Sequence, residues 1–280
     1  MEFKGAITVG VIGKTNAGKS SLVNSLVGEK VSIVTPKKQT TRENILGILN
    51  LDDCQIIFVD TPGIHKTVDN LGKLMMKQVR SVKDSVDLVL YVVDGSKPFD
   101  EQEYSNIKKM SENNSLILIL SKTDIAGFEK IYPLIDKFNK LSSIEEIIPV
   151  SSKTNKNLDL LIEKIKQRLI EVDCKDLYYD RETYTDKSVR FMCAEIVREK
   201  ILLNLNQEIP YGVMVDVIRF EESDNLVEID IDITTNKPSH KSIIIGKQAS
   251  MLKKISTQAR EDMEKLLYKK VMLKIYVAIR

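Results

Sequence analysis

The chain has 280 residues, 42% of them apolar and 29% charged, with a net charge of +2, three cysteines and two histidines. That length and balance suit about two globular domains and exclude wholesale disorder. The longest apolar runs, such as Leu88 to Val93 and Leu116 to Leu120, are too short to span a bilayer. The first residues lack the basic, apolar and small-residue order of a signal peptide. Cys54, Cys174 and Cys193 form no C-x-x-C pair and read as reduced thiols of a cytoplasmic protein, and two histidines disfavour a His-rich metal site.

In chain order, short apolar runs alternate with helical patterns over the first 170 or so residues, as in a mostly parallel α/β sheet with crossover helices. Strands are predicted at Ala6 to Ile12, Ile45 to Leu49, Gln55 to Val59, Leu88 to Val93, Leu116 to Leu120 and Ile147 to Val150. Helices are predicted at Lys19 to Leu26, Asn70 to Val82, Glu101 to Asn113, Glu129 to Leu141 and Asn157 to Val172. The periodicity lapses between Asp173 and Lys187, read as a linker pinned by Tyr178, Tyr179 and Tyr184. Beyond it the order is a helix (Val189 to Leu205), two alternating strands (Val213 to Phe220, Leu226 to Thr234) joined at E-S-D-N, a helix (Met251 to Leu267) and a strand (Val271 to Ile279). The expected division is therefore 1–172, linker 173–187, and a smaller α+β domain over 188–280.

Charge is uneven in the second half. Residues 181–235 carry 6 basic and 12 acidic side chains, a net of −6, whereas 236–280 carry 11 and 3, a net of +8. A basic face of this kind suits phosphate, although a solvated lysine-rich helix would look the same.

Gly13-Lys14-Thr15-Asn16-Ala17-Gly18-Lys19-Ser20 fits G-x-x-x-x-G-K-[ST], between an apolar strand and a helix that continues with Ser21. Its glycines let backbone N–H groups close on phosphate oxygens, Lys19 brings charge to the β/γ-phosphates, and Ser20 offers a hydroxyl to magnesium. Asp60-Thr61-Pro62-Gly63 ends the next apolar strand. Asp60 is placed to reach magnesium through water, and the Gly63 N–H to sit beside a γ-phosphate. Ser121-Lys122-Thr123-Asp124 follows a third strand. There the Lys122 stem can cover a base, and the Asp124 carboxylate can accept guanine N1–H and the exocyclic amine, an edge adenine lacks. Ser151-Ser152-Lys153 can supply N–H groups to guanine O6. Each motif alone is weak; four in order at strand ends point together to a guanine nucleotide.

At these residues the sequence resembles a Ras-like GTPase of the translation-associated class, and the Era family in particular. G-x-x-N-x-G-K-S, D-T-P-G and Lys38-Gln39-Thr40-Thr41-Arg42 carry the likeness. So do Tyr184 to Ser188, Glu195-Ile196-Val197-Arg198-Glu199-Lys200 and Glu208-Ile209-Pro210-Tyr211. The resemblance implies GTP hydrolysis, with Thr41 closing on magnesium from the first switch, so that Ser20, Thr41 and Asp60 form the Mg2+ set. It also implies a C-terminal KH domain whose G-x-x-G loop clamps a nucleic-acid backbone. Here that loop is Gly246-Lys247-Gln248-Ala249, followed by Lys253, with alanine at the second glycine, which is expected to weaken the clamp. Ser121 replaces the family's usual asparagine. One hydroxyl bond without the amide's reach is expected to lower nucleotide affinity.

Ile64, directly after D-T-P-G, cannot polarise water, so slow intrinsic hydrolysis is expected. The resemblance links Asn16 with activation by K+, against the plainer reading that it caps the loop. Lone His65 reads as solvated rather than as a base. Lys19, Thr41, Asn16 and Gly63 are thus the expected catalytic group. The implied partners are GTP and GDP, small-subunit ribosomal RNA and the 30S subunit, with no stable oligomer required. The alternative is a GTPase whose C-terminal half docks a protein or, peripherally, a membrane surface.

Overall fold

The computed structural model describes residues 3–37, 40–64, 81, 85–99, 101–169, 176–205 and 209–279. The chain divides into two compact units, one of residues 1–32 with 41–186, the other of residues 33–40 with 187–280. The expected helix at Asn70 to Val82 falls almost wholly outside the described residues, as do His65 and Cys174. Cys54 and Cys193 are buried free thiols, and burial pushes them up to about 11 and about 12.

The first unit is built on a six-stranded sheet of order β2-β3-β1-β4-β5-β6. Its strands are β1 (Gly5–Gly13), β2 (Ile45–Asn50), β3 (Cys54–Asp60), β4 (Leu88–Asp94), β5 (Leu116–Ser121) and β6 (Glu146–Pro149). Only β2 runs antiparallel to its neighbour, as a mostly parallel sheet requires. The central strands read as unbroken apolar runs because both faces are covered. Leu88, Leu90 and Val92 enter the core beneath α1 (Lys19–Val27) and α5 (Leu158–Arg168). Val89, Tyr91 and Val93 enter the opposite core beneath α2 (Glu101–Ser111) and α4 (Phe128–Phe138). Each such side chain contributes about 1.5–3 kcal/mol when fully buried.

The element boundaries differ from expectation for local reasons. The expected helix at Glu129 to Leu141 begins at Phe128 and ends at Phe138. A one-turn α3 (Thr123–Ala126) precedes it, broken off by Gly127 at φ 71°. The segment before Asp186 runs along β2, and tyrosine backbone groups hold it. Ile48 N–H donates to the Tyr184 carbonyl at 2.9 Å, and buried Gln55 accepts from the amides of Tyr178 and Tyr179. The Tyr178 and Tyr184 rings are exposed. This segment occupies the free edge of β2, a common protection for an edge strand.

In the second unit β7 (Val213–Glu222) pairs antiparallel with β8 (Leu226–Thr235), which pairs parallel with β9 (Lys270–Ile279). The E-S-D-N turn closes the hairpin through Ser223 N–H to the Leu226 carbonyl at 2.9 Å, and a bulge follows Val217. Val227, Ile229, Ile231 and Ile233 point to one core, shared with Ile196, Val197 and Ile201 of α6 (Val189–Asn204). Ile255, Ala259 and Met263 of α8 (Ser250–Leu267) complete it. The periodicity predicts no helix at α7 (Pro238–Ile245), because three successive isoleucines before Gly246 show no helical spacing. Pro238 at the first helical turn is its clearest signal.

Candidate nucleotide site and nucleic-acid loop

Gly13 ends β1 where a Cβ would lie 2.3 Å from the Val92 carbonyl oxygen, so only glycine lets the loop leave between β1 and β4. Gly18, at φ 99°, turns the chain into α1 and leaves the helix's first N–H groups open for an anion. Lys14, Thr15 and Asn16 are half-buried, Ala17 is buried, and Ser21 lies in the first turn of α1. Lys19 folds back so that its ammonium donates to the carbonyls of Gly13 at 3.2 Å and Lys14 at 3.0 Å. Burial lowers its pKa to about 8, with the nearby Asp60 charge opposing the shift.

Ser20, Thr41 and Asp60 come together, with the Ser20 and Thr41 hydroxyls 3.0 Å apart. Asp60 is fully buried, and neither of its carboxylate oxygens has a hydrogen-bond partner of ordinary geometry. Burial pushes its pKa up, against the nearby Ser20 hydroxyl, the Lys19 charge and the Ser32 and Thr41 hydroxyls. Unpaired carboxylate oxygens beside two hydroxyls make an all-oxygen set of the kind a hard divalent cation needs. Thr61 points elsewhere, donating to the Val11 carbonyl at 2.8 Å. Beyond buried Pro62, a Cβ on Gly63 would fall 2.6 Å from Thr15 Cα, while Ile64 N–H donates to the Gly13 carbonyl at 2.9 Å. The D-T-P-G loop is thus zipped to the phosphate loop by contacts only glycine allows.

The base-side motifs converge at the ends of β5 and β6. Ser151, fully buried, donates its hydroxyl to Asp124 at 2.8 Å, and Thr123 N–H donates to the Val150 carbonyl at 3.2 Å. Ser152 accepts at its carbonyl from the Ser25 hydroxyl, whereas Lys153 is exposed. Lys122, at φ 60°, donates to the Asn16 carbonyl and to Asp94, each at 2.7 Å. The Ser121 hydroxyl donates to the phosphate loop at the Ala17 carbonyl. It also lies 2.9 Å from the Val93 carbonyl, and one hydroxyl proton serves only one of the two at a time. Asp94 was missed. An acid ending β4, as Asp60 ends β3, was the available signal. It orients Lys122, which with Ser96 holds its carboxyl below the usual range against the larger opposing effect of burial.

In the second unit the Gly246 loop joins α7 to α8. Gly246 lies at φ 74°, where a Cβ would meet Met251 Cβ at 2.8 Å. Gln248 (φ 50°) and Ala249 (φ 58°) are both left-handed, a conformation that costs an L-residue about 1–2 kcal/mol. Alanine therefore keeps the glycine conformation under strain. Lys247, Gln248, Ala249 and Lys253 are exposed. Residues 237–254 carry five lysines and no acid.

These two units define a class, a P-loop GTPase domain followed by a KH domain. Residues 8–122 match the 50S ribosome-binding GTPase family, and residues 208–280 match the KH domain. The chain is 44% identical to GTPase Era of Caldicellulosiruptor saccharolyticus, over 100% of this chain and 93% of that protein. It is 43% identical to GTPase Era of Clostridium perfringens, over 96% and 91%. A crystal structure of an Aquifex aeolicus Era variant bound to GDP and AlF4− superposes with a TM-score of 0.90 at 32% identity, over 99% and 94% of the two chains. A second, of Era with MgGDPNP and nucleotides 1506–1542 of 16S ribosomal RNA, superposes at 0.88 with 34% identity and the same coverage. The chain belongs to the Era family of GTPases, enzymes that hydrolyse GTP to GDP and phosphate.

Proposed function

We propose that this protein is a cytoplasmic, GTP-controlled switch that binds small-subunit ribosomal RNA and acts in assembly of the 30S subunit. The observation that carries the switch is the meeting of Thr41 with Ser20 over buried Asp60. That arrangement links a loop between α1 and β2 to the phosphate site. Ser20 and Thr41 would hold Mg2+ directly and Asp60 through water. Bound there, Mg2+ would neutralise phosphate charge. Lys19 lies against the same oxygens, and the Gly63 N–H senses whether the γ-phosphate is present. Asp124, held by Ser151, accepts the two donors of guanine's edge, while the Lys122 stem covers the ring. Ile64 offers no polar atom to orient water, so intrinsic turnover is slow. Asn16, left-handed at φ 62° on the phosphate loop, would be the residue that holds K+. Bound there, the ion would supply the charge that an arginine finger brings elsewhere.

For the second unit, the exposed Gly246–Ala249 loop and its lysines support RNA binding. In the Era complex with 16S ribosomal RNA the same kind of chain holds that ligand. The test is salt-dependent binding of a 3′-terminal small-subunit RNA. Replacing Lys247 and Lys253 with alanine should weaken binding and flatten the salt slope by about 1.4. An unchanged slope would remove the loop from the RNA site.

A further inference from the structure

Helix α6 is buried all round over the stretch Val197 to Leu202. Its apolar side meets the sheet core, but Arg198, Glu199 and Lys200, three successive charged residues, are only 3%, 4% and 9% exposed. Buried charges are costly unless each is paired and hydrogen-bonded. Here Arg198 and Glu199 engage residues 33–40, the segment between α1 and β2 that belongs to the second unit. Glu199 Oε1 accepts from Val34 N–H at 2.9 Å, and its Oε2 accepts from Lys200 at 2.8 Å. Lys200 is also paired with Asp262 of α8. Arg198 donates Nη2 to the Thr40 carbonyl, with Glu195 gripping its Nε side, and its buried Nη1 has no partner. Lys37 donates to the Leu205 carbonyl. Within the segment the Thr35 and Thr40 hydroxyls lie 2.8 Å apart, which closes the loop on itself.

Thr40 is the residue before Thr41. We infer that Arg198 and Glu199 are positioning residues for Thr41. They fix the backbone at both ends of this loop, so that the Thr41 hydroxyl is delivered to Ser20 and Asp60 without first ordering a free loop. The inference rests on Thr41 being the switch threonine of the proposed function. A guanidinium bonded to one carbonyl of a loop is a holding contact and touches neither nucleotide nor cation. Its effect must therefore pass through Thr41, and must be confined to the state in which Thr41 is engaged.

The test uses the full-length protein and fluorescent GDP and non-hydrolysable GTP analogue in saturating Mg2+. Arg198→Ala should weaken the analogue about tenfold and leave GDP affinity within twofold. Arg198→Lys, which keeps a charge toward Glu195 and one donor for Thr40, should fall between and serves alone if the alanine variant does not fold. In a Thr41→Ala background Arg198→Ala should add nothing, because the contact then holds a residue with no hydroxyl to deliver. Without nucleotide, Glu199→Ala should speed hydrogen exchange at the Val34 amide. Equal losses for GDP and analogue, or an additive effect with Thr41→Ala, would overturn the inference while leaving Thr41 in place. A Thr41→Ala variant whose ratio of analogue to GDP affinity equals the native protein's would overturn the reading of Thr41, and the inference with it.

Discussion

Lys19 is buried with two carbonyls as partners, and burial lowers its pKa to about 8. A phosphate placed against it restores the charged form, so nucleotide binding should take up a proton as pH rises through that value. GDP affinity should fall about fourfold between pH 7 and 8.5, since only the ammonium form attracts phosphate. Calorimetry in buffers of different ionisation enthalpy checks this, and binding at pH 8.5 without proton uptake would contradict it. Asp124 gives a second residue-scale test. Xanthine has a carbonyl where guanine has its exocyclic amine, so Asp124→Asn, which exchanges an acceptor for a donor, should turn preference from GTP to XTP. Nucleotide competition measures it directly. Ala249 gives a third. Glycine at that left-handed position should raise unfolding stability by about 1 kcal/mol and tighten RNA severalfold. Urea unfolding and RNA titration of Ala249→Gly read both quantities.

At the scale of elements, Gly63 shows how tightly the D-T-P-G loop depends on the phosphate loop. A methyl there would sit 2.6 Å from the Thr15 backbone, so Gly63→Ala should cut GTP turnover at least tenfold while changing GDP affinity much less. Single-turnover hydrolysis and GDP titration separate the two. The strands of the first unit were legible because β1, β4 and β5 are buried on both faces and carry unbroken apolar runs. Helix α3 was harder to read, because the single turn Thr123–Ala126 is too short to show a period before Gly127, at φ 71°, splits it from α4. Helix α7 was hidden because Ile243, Ile244 and Ile245 read equally well as a turn, and of the three only Ile244 is buried. The motif residues of the nucleotide site were legible from local spacing. Ser121 reaching Ala17 and Asp94 holding Lys122 join residues 104 and 28 apart in sequence, and needed the sheet.

For the whole molecule, the central feature is that residues 33–40 lie between two elements of the first unit yet pack with the second. The flanking Thr41 returns to the phosphate site, so a change there is covalently joined to a loop held by α6. Lys200 continues the polar contacts to Asp262 on α8, the helix that begins immediately after Ala249. Nucleotide state and RNA affinity are on this account linked, and linkage is reciprocal: whatever factor GTP adds to RNA affinity, RNA adds to GTP affinity. The most direct measurement is a titration of the full-length protein with single-stranded RNA from the 3′ end of small-subunit ribosomal RNA. It is run with GDP and then with a non-hydrolysable GTP analogue, at two salt concentrations. The account predicts tighter binding with the analogue at both salts. Equal binding in the two nucleotide states, or none in either, would contradict it.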